Sequence, residues 1–352
     1  METRKLQQVG GGTYTVSIPK AWADEHRLEA GMELCLYTHR DGSIVLRAAE
    51  RDGEALDAVT VEVPGEDPTL VERAIRSAHT AGFESVTLRP DGSFTRAQRE
   101  AARSTVAGLV GTDLVVERDE EITVEHLLDA TTVSVRQSVV RLQFTARSLH
   151  REAVEAFLAG DADAADRLVE RGDEAARVAR MVTRQFTRSL VSLGEVDRLG
   201  VPRPELFRYY VIARALGRVA DQGVAIARLA RRLEGPLPER VEAALGDASE
   251  RALGAVDDAT TAALEDAGAQ RVDAVLGDHA AAVAAVEDAD RALFDEWATE
   301  LDGPTALAVG RALDRLGATA DAGESVARVA LRAAIRADVS DPAADASTEP
   351  AA

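Results

Sequence analysis

The chain has 352 residues, with 61 acids against 41 bases and a formal charge of −20. Its one cysteine, Cys35, excludes an internal disulfide and a cysteine-based zinc cluster. No apolar run approaches the roughly 18 residues of a membrane span, and Met1 to Lys5 lack the apolar core of a secretory signal, so a soluble cytoplasmic protein with no membrane insertion is expected.

The charge is unevenly spread. Lys5 and Lys20 are the only lysines, and the other 39 bases are arginine. An acidic, lysine-poor surface suits a very salty, halophilic cytoplasm, where repulsion is screened within about 3 Å at molar salt. GC-rich codon usage accounts for arginine over lysine, but not for the excess of Asp and Glu. Residues 1–50 carry a net −1, which leaves −19 for the other 302. Within residues 1–23, Arg4, Lys5 and Lys20 face only Glu2. DNA phosphate meets a favourable field there, and mostly carboxylate elsewhere.

Residues 1–50 read as short strands near 3–9, 13–18, 32–38 and 43–48, with a two-turn helix from Ala21 to Leu28 that Ala30 and Gly31 end. From Thr13 to Ile18 β-branched and aromatic residues alternate, and Pro19 ends the ladder because it has no N–H to donate. Asp41-Gly42 marks a tight hairpin turn, and Cys35, between Leu34 and Leu36, reads as a packed thiol. Gly10 to Gly12 predict a backbone kink; with no Lys-Ser/Thr and helix behind them they are not a phosphate loop.

A linker at 51–54 leads to a small α/β domain over 57–122. Its expected order is a strand Val59–Val63, a helix from Pro68 to Thr80 stopped by Gly82, a strand Ser85–Leu88, a helix Thr95–Leu109 and a strand Leu114–Glu117. No chemistry attaches to it. Residues 124–337 then read as all helix. Val135, Val139, Leu142, Ala146, Leu149, Ala153 and Ala156 recur at steps of four and three. Tyr209, Ile212, Leu216, Val219, Gly223 and Ile226 do the same, as do Val309, Leu313, Leu316, Ala320 and Gly323. Breaks at 160–161, 194–204, 235–236, 267–268 and 302–304 predict six helices, in repeats of about 124–234 and 236–337. A disordered tail is expected over 338–352. The six histidines (His26, His39, His79, His126, His150, His279) lack metal or triad spacing, and surface positions are expected for them. No residue set suggests an enzyme.

Residues 3–49, from Thr-Arg-Lys-Leu-Gln-Gln-Val-Gly through Val-Ser-Ile-Pro-Lys to Leu-Glu-Ala-Gly-Met-Glu-Leu, resemble the AbrB/MazE/SpoVT domain. They depart from it at Met32, where an Asp is common. The resemblance implies a swapped-hairpin homodimer that binds DNA, and by position it puts Arg4, Lys5, Thr13, Tyr14, Ser17 and Lys20 near the nucleic acid. About 50 residues are also too few to bury a sound core alone.

Residues 124–337 resemble the PhoU family, whose two three-helix repeats each carry a motif on the third helix. Here the motif reads Leu216-Gly217-Arg218-Val219-Ala220-Asp221 and Leu313-Asp314-Arg315-Leu316-Gly317-Ala318. The whole chain thus resembles AbrB–PhoU fusions described as phosphate uptake regulators. The resemblance implies a multidomain fold: a β-rich head, a small α/β middle and an all-α body of two three-helix bundles. It also implies a transcriptional regulator of phosphate homeostasis. The alternative is an adaptor that uses the head only to dimerise and docks on a phosphate transporter or its sensor kinase.

Family metal sites use acids four residues apart on the third helix. Repeat one keeps Asp221 and has Gly217; repeat two keeps Asp314 and has Ala318. Positions 217, 221, 314 and 318 are expected to point out of the bundle. On the second helices Asp173 and Asp290 remain of a thinned acidic run. Solvated surface acids and a metal cluster both fit these residues, but a hard cation needs several oxygen ligands, so no metal is expected.

Overall fold

The computed structural model describes residues 3–10, 12–38, 42–47, 56–128, 134–297 and 299–340. Asp41 of the expected hairpin turn, Gly11, His39, the 51–54 linker and the tail beyond residue 340 lie outside them. The chain divides into two compact units, Met1–Ala55 and Leu56–Ala352.

In the first unit β1 (Gln7–Val9) pairs antiparallel with β2 (Thr13–Thr15), and β3 (Cys35–Thr38) pairs antiparallel with β4 (Ile44–Arg47). Helix α1 (Lys20–Glu25) starts directly after Pro19. These elements are shorter than expected. β2 stops before Val16, and α1 ends ahead of Arg27, which takes a left-handed φ of 54°. Gly10, at φ 65°, makes the turn between β1 and β2, a conformation that glycine adopts at little cost. None of the described residues of this unit is buried. Leu6, Val9, Tyr14, Val16, Met32, Leu36 and Ile44 are each more than half exposed.

The second unit begins with β5 (Ala58–Val63), α2 (Pro68–Ala81), β6 (Ser85–Pro90), α3 (Arg96–Ala107), β7 (Thr112–Glu117) and β8 (Ile122–His126). The sheet order is β5-β6-β8-β7, with β5 and β6 parallel and the other pairs antiparallel. The sequence reading puts residues 124–126 at the start of the helical region; they are instead part of β8, which fills the slot between β6 and β7. Its run Ile-Thr-Val-Glu-His is β-branched and too short to show a helical period. Asp67 caps α2 through the Thr69 N–H at 2.9 Å, and Thr95 and Gln98 cap α3 reciprocally. One side of the sheet (Val63, Val86, Leu88, Ile122, Val124) and the helix residues Val71, Ile75, Ala102 and Val106 share one core.

Six long helices follow: α4 (Val135–Ala159), α5 (Ala162–Val191), α7 (Arg203–Ala230), α8 (Glu239–Leu264), α9 (Ala269–Ala292) and α10 (Gly303–Ser340). A short α6 (Leu193–Leu199) precedes α7, and a π turn, Leu293–Trp297, extends α9. Helix α10 runs three residues past the expected end of the body. Helices α4, α5 and α7 form one bundle and α8, α9 and α10 the other. The two bundles share their cores: Leu142, Leu149 and Leu216 cluster with Val256 and Val326, and Phe157 and Ile226 with Leu245, Trp297 and Leu313. With few aromatic residues to fill space, the helices approach closely. A Cβ on Gly223 of α7 would come within 3.0 Å of the His150 Cα of α4. One on Gly323 of α10 would come within 3.1 Å of the Ala255 backbone of α8. Each third helix is thus backed by a glycine against the first helix of its bundle.

Candidate nucleic-acid interface and carboxylate sites

In the head the register pairs Gln7 with Thr15, Gln8 with Tyr14 and Val9 with Thr13. Residues opposite one another share a face, and neighbours along a strand do not. Thr13 and Thr15 therefore lie on one face with Gln7 and Val9, and Tyr14 lies on the other with Gln8. Thr13 and Tyr14, placed together near DNA by the resemblance, cannot meet one surface from a single ribbon. Thr15 Oγ1 is within 3.5 Å of the Gln7 carbonyl, its acceptor. Ser17 lies beyond the end of β2, and Lys20 is the first residue of α1. Arg4, Lys5, Thr13, Tyr14, Ser17 and Lys20 are all exposed.

Position 217 corrects the expectation for the motif. A Cβ there would sit 3.2 Å from the Ala179 Cβ of α5, so Gly217 faces a neighbouring helix and not solvent. Helix α7 packs on both α4 and α5, and a single apolar seam describes only one of its two buried faces. Gly172 of α5 does the same in reverse, beneath Val224 of α7. Asp173, Asp221, Asp290 and Asp314 are exposed. Partial desolvation pushes the Asp221 carboxyl up from its ordinary value, against the pull of Arg180. Asp173 and Asp221 both act on the Arg180 charge, so a fixed guanidinium already stands among these acids. Among the described residues, no group of three or more His, Cys, Asp or Glu converges as a metal site. With close helix packing at 217 and a cation in place, Asp173 and Asp221 of the first repeat do not fit a multinuclear metal centre.

The sequence also missed a buried polar junction between the α/β part and α5. Arg184, 2% exposed, donates from Nη1 to the carbonyls of His79 (2.9 Å) and Phe83 (2.8 Å). Arg188 donates to the Gly82 carbonyl at 2.7 Å and pairs with Glu84 at 2.7 Å and with buried Glu195 at 3.3 Å. The two guanidinia donate to carbonyls in the last turn of α2 and the two residues after it, where the helix dipole favours positive charge. Gly82 is required there twice over. Its φ is 107°, and a Cβ would meet Arg188 Cγ at 2.6 Å.

The expected surface positions of the histidines fail for three of them. His79 packs edge-on against His126 at 5.6 Å beside this junction. Burial, reinforced by the Arg184 charge, lowers His79 to about 3 and His126 to about 4. His150 is fully buried and lowered to about 4 by desolvation. Its Nε2 lies 3.0 Å from Thr319 Oγ1, and that hydroxyl donates to the Arg315 carbonyl at 3.0 Å. The hydroxyl has one proton, so His150 is the donor, as the neutral Nε2–H tautomer. The bond ties α4 of one bundle to α10 of the other. An apolar period marks which positions are buried, and it carries no sign that a polar residue among them will find a partner.

Residues 7–54 match the family of the antidote–toxin recognition protein MazE, a bacterial antitoxin, and residues 139–230 match the PhoU domain. A MazE/AbrB-type domain thus stands at the N-terminus and a PhoU domain in the C-terminal helical region. The phosphate transport system regulatory protein PhoU of Streptococcus pneumoniae is a structural neighbour at 14% identity and a TM-score of 0.45, covering 56% of this chain and 92% of that one. No curated protein matches the chain. Both matched families are regulatory and non-enzymatic. Among the described residues, no helix is long and apolar enough to cross a membrane.

Proposed function

We propose that this protein is a DNA-binding regulator of phosphate homeostasis that works as a homodimer through its head, in the cytoplasm of a salt-adapted cell. One observation carries the reading: the head displays its only lysines and a set of large apolar side chains, and none of its described residues is buried. A unit of about 50 residues in which no described residue is buried needs another surface to bury its apolar groups. A second head supplies one, and it also doubles the basic residues available to a duplex.

Arg4, Lys5 and Lys20 contact phosphates in this reading and fix register, while the hydroxyls of Thr13, Tyr14 and Ser17 reach phosphate or base edges. The acidic body contributes specificity of another kind, because like charge keeps it off the duplex. The test is fluorescence anisotropy of the full chain on promoter DNA from phosphate-uptake genes across a salt series. Wild-type affinity should fall steeply with salt. The Arg4→Ala/Lys5→Ala/Lys20→Ala variant should bind at least tenfold more weakly, with a shallower slope. Failure of the wild type to bind at moderate salt would overturn the reading. Survival of phosphate-dependent repression in the triple variant would instead favour an adaptor that docks on transport or signalling proteins.

A further inference from the structure

Aromatic residues are scarce in this chain, with 7 Phe, 4 Tyr and 2 Trp among 352 residues, yet three of them meet on one surface of the first bundle. Phe186 of α5 stacks on Tyr210 of α7 with ring centroids 4.6 Å apart, and Phe207 of α7 lies 5.8 Å from Phe186. Phe207 is 41% exposed, and Leu190, one turn beyond Phe186, is 56% exposed. Exposed apolar clusters of this kind mark surfaces that another molecule covers. The charge around it departs from the rest of the chain. Acids number 61 in 352 residues, but none lies within residues 175–194, which end α5, or within 206–220 of α7. Arg203 and Arg214 stand on either side of Phe207 and Tyr210 along α7. Arg203 donates from Nε to the Ser189 carbonyl at 2.7 Å, and Arg214 from Nη1 to the Tyr210 hydroxyl at 3.0 Å. Neither has a carboxylate partner among the described residues. The acids that border these segments are engaged elsewhere. Glu205 serves Arg208 and the Tyr209 hydroxyl, Glu195 is buried against Arg188, and Asp197 is not free.

We propose that this face of α5 and α7 docks an acidic amphipathic α-helix of a partner protein. Its apolar stripe lies on Phe186, Leu190, Phe207 and Tyr210, and its carboxylates meet Arg203 and Arg214. The form of the partner follows from the surface. Phe186 and Leu190 are four residues apart on α5, and Phe207 and Tyr210 three apart on α7. Two helical ridges therefore border one shallow seam, which a third helix fills with side chains at the same spacing. Its charge follows from the guanidinia. Positions 203 and 214 are separated by about 16 Å at 1.5 Å per residue, so the partner carries Asp or Glu about three turns apart. Aromatic rings and arginine are also the groups that carry most binding energy at protein interfaces. The setting adds selectivity, because a chain of net −20 repels an acidic helix over most of its surface and attracts it only here. A single nucleic-acid strand fits less well, since its regular phosphates need a longer basic track and leave Leu190 unused.

The face lies wholly in the helical unit, so it stands or falls separately from DNA binding by the head. The probe is a fluorescein-labelled peptide of about five helical turns, with a leucine stripe flanked by glutamates about three turns apart. The same composition in scrambled order is the control. Anisotropy with the full chain should give a Kd of about 100 µM or tighter, and the scrambled peptide should bind roughly tenfold more weakly. Added salt should weaken binding, because it screens the local attraction; were the net charge of the chain in control, salt would strengthen it. The Leu190→Ser/Phe207→Ser variant, on two exposed side chains, and Arg214→Glu should each weaken binding roughly tenfold at an unchanged melting temperature. Arg214→Glu should also flatten the salt dependence. The proposal is overturned if the peptide does not bind, if the scrambled form binds as well, if salt strengthens binding, or if the variants bind like wild type. Two other occupants overturn it too. One is a second copy, if Leu190→Ser/Phe207→Ser lowers the oligomeric state in sedimentation without peptide. The other is nucleic acid, if a short single-stranded DNA binds wild type but not the variants and the peptide binds neither.

Discussion

Single side chains inside the helical unit carry costs that their charge does not suggest. Arg184 is valuable because it donates to the His79 carbonyl in the last turn of α2 and to the Phe83 carbonyl just beyond it. Arg184→Ala removes the donor from the Phe83 carbonyl and one of the two donors from the His79 carbonyl, which keeps the Gly82 N–H, and should cost about 1–3 kcal/mol in urea denaturation. Arg184→Lys should recover only part of that, since an ammonium cannot reproduce the fork. His150 gives a pH signature. Its folded value of about 4 lies below the ordinary 6.5, so the unfolded chain binds its proton more readily. The resulting stability is complete above pH 6.5, fades as pH falls toward 4, and levels off below that. The gap corresponds to about 3 kcal/mol. His150→Gln should therefore show a shallower loss of stability between pH 6.5 and 4.5 than wild type, measured by denaturant midpoints. Asp257 and Asp221 are raised and act in the opposite sense, so only the difference between the two proteins reports His150.

Among the elements, glycine separates contact from propensity. Gly223→Ala forces a methyl against the α4 backbone at 3.0 Å and should destabilise by about 1–3 kcal/mol. Gly254→Ala in α8, with nothing near its Cβ position, should instead stabilise by about 0.5–1 kcal/mol through helix propensity. Opposite signs in the same thermal-melting assay would establish that helix separation, not glycine content, sets the packing. The long helices were legible because Leu142 and Leu149 in α4, Ile212 and Leu216 in α7, and Leu313 and Leu316 in α10 belong to apolar stripes that each recur on one face over many turns. The breaks at Gly160 and Gly235 were legible from turn chemistry. The strand Ile122–His126 was not, because five residues between two turns show no period and its place is fixed by the partner strands on either side. The outward position expected for Gly217 failed for a related reason: a helix touched on two sides has no single seam. In the head, the basic and hydroxyl residues were readable, while which of them share a face depended on a register that only pairing fixes.

For the whole molecule, the contrast is between a large unit with its own core and a small one with no buried residue among those described. Sedimentation of the full chain should give a dimer, and Leu36→Asp with Ile44→Asp on the exposed apolar face should shift it toward monomer while leaving the melting of the helical unit in place. If the double variant stays dimeric, association runs through the body and the head is not its seat. The order of the mixed sheet has a separate consequence during synthesis. β8 is the last of the four strands to be made, yet it lies inside the sheet, and β7 pairs only with it. As the chain leaves the ribosome, β5 and β6 can pair early, while β7 must wait unpartnered until His126 has emerged. The α/β part then completes itself at nearly the moment α4 appears, and the arginines of α5 reach the exposed end of α2 later still. Ribosome-stalled chains should therefore gain protease resistance in this part only once residue 126 has cleared the exit tunnel.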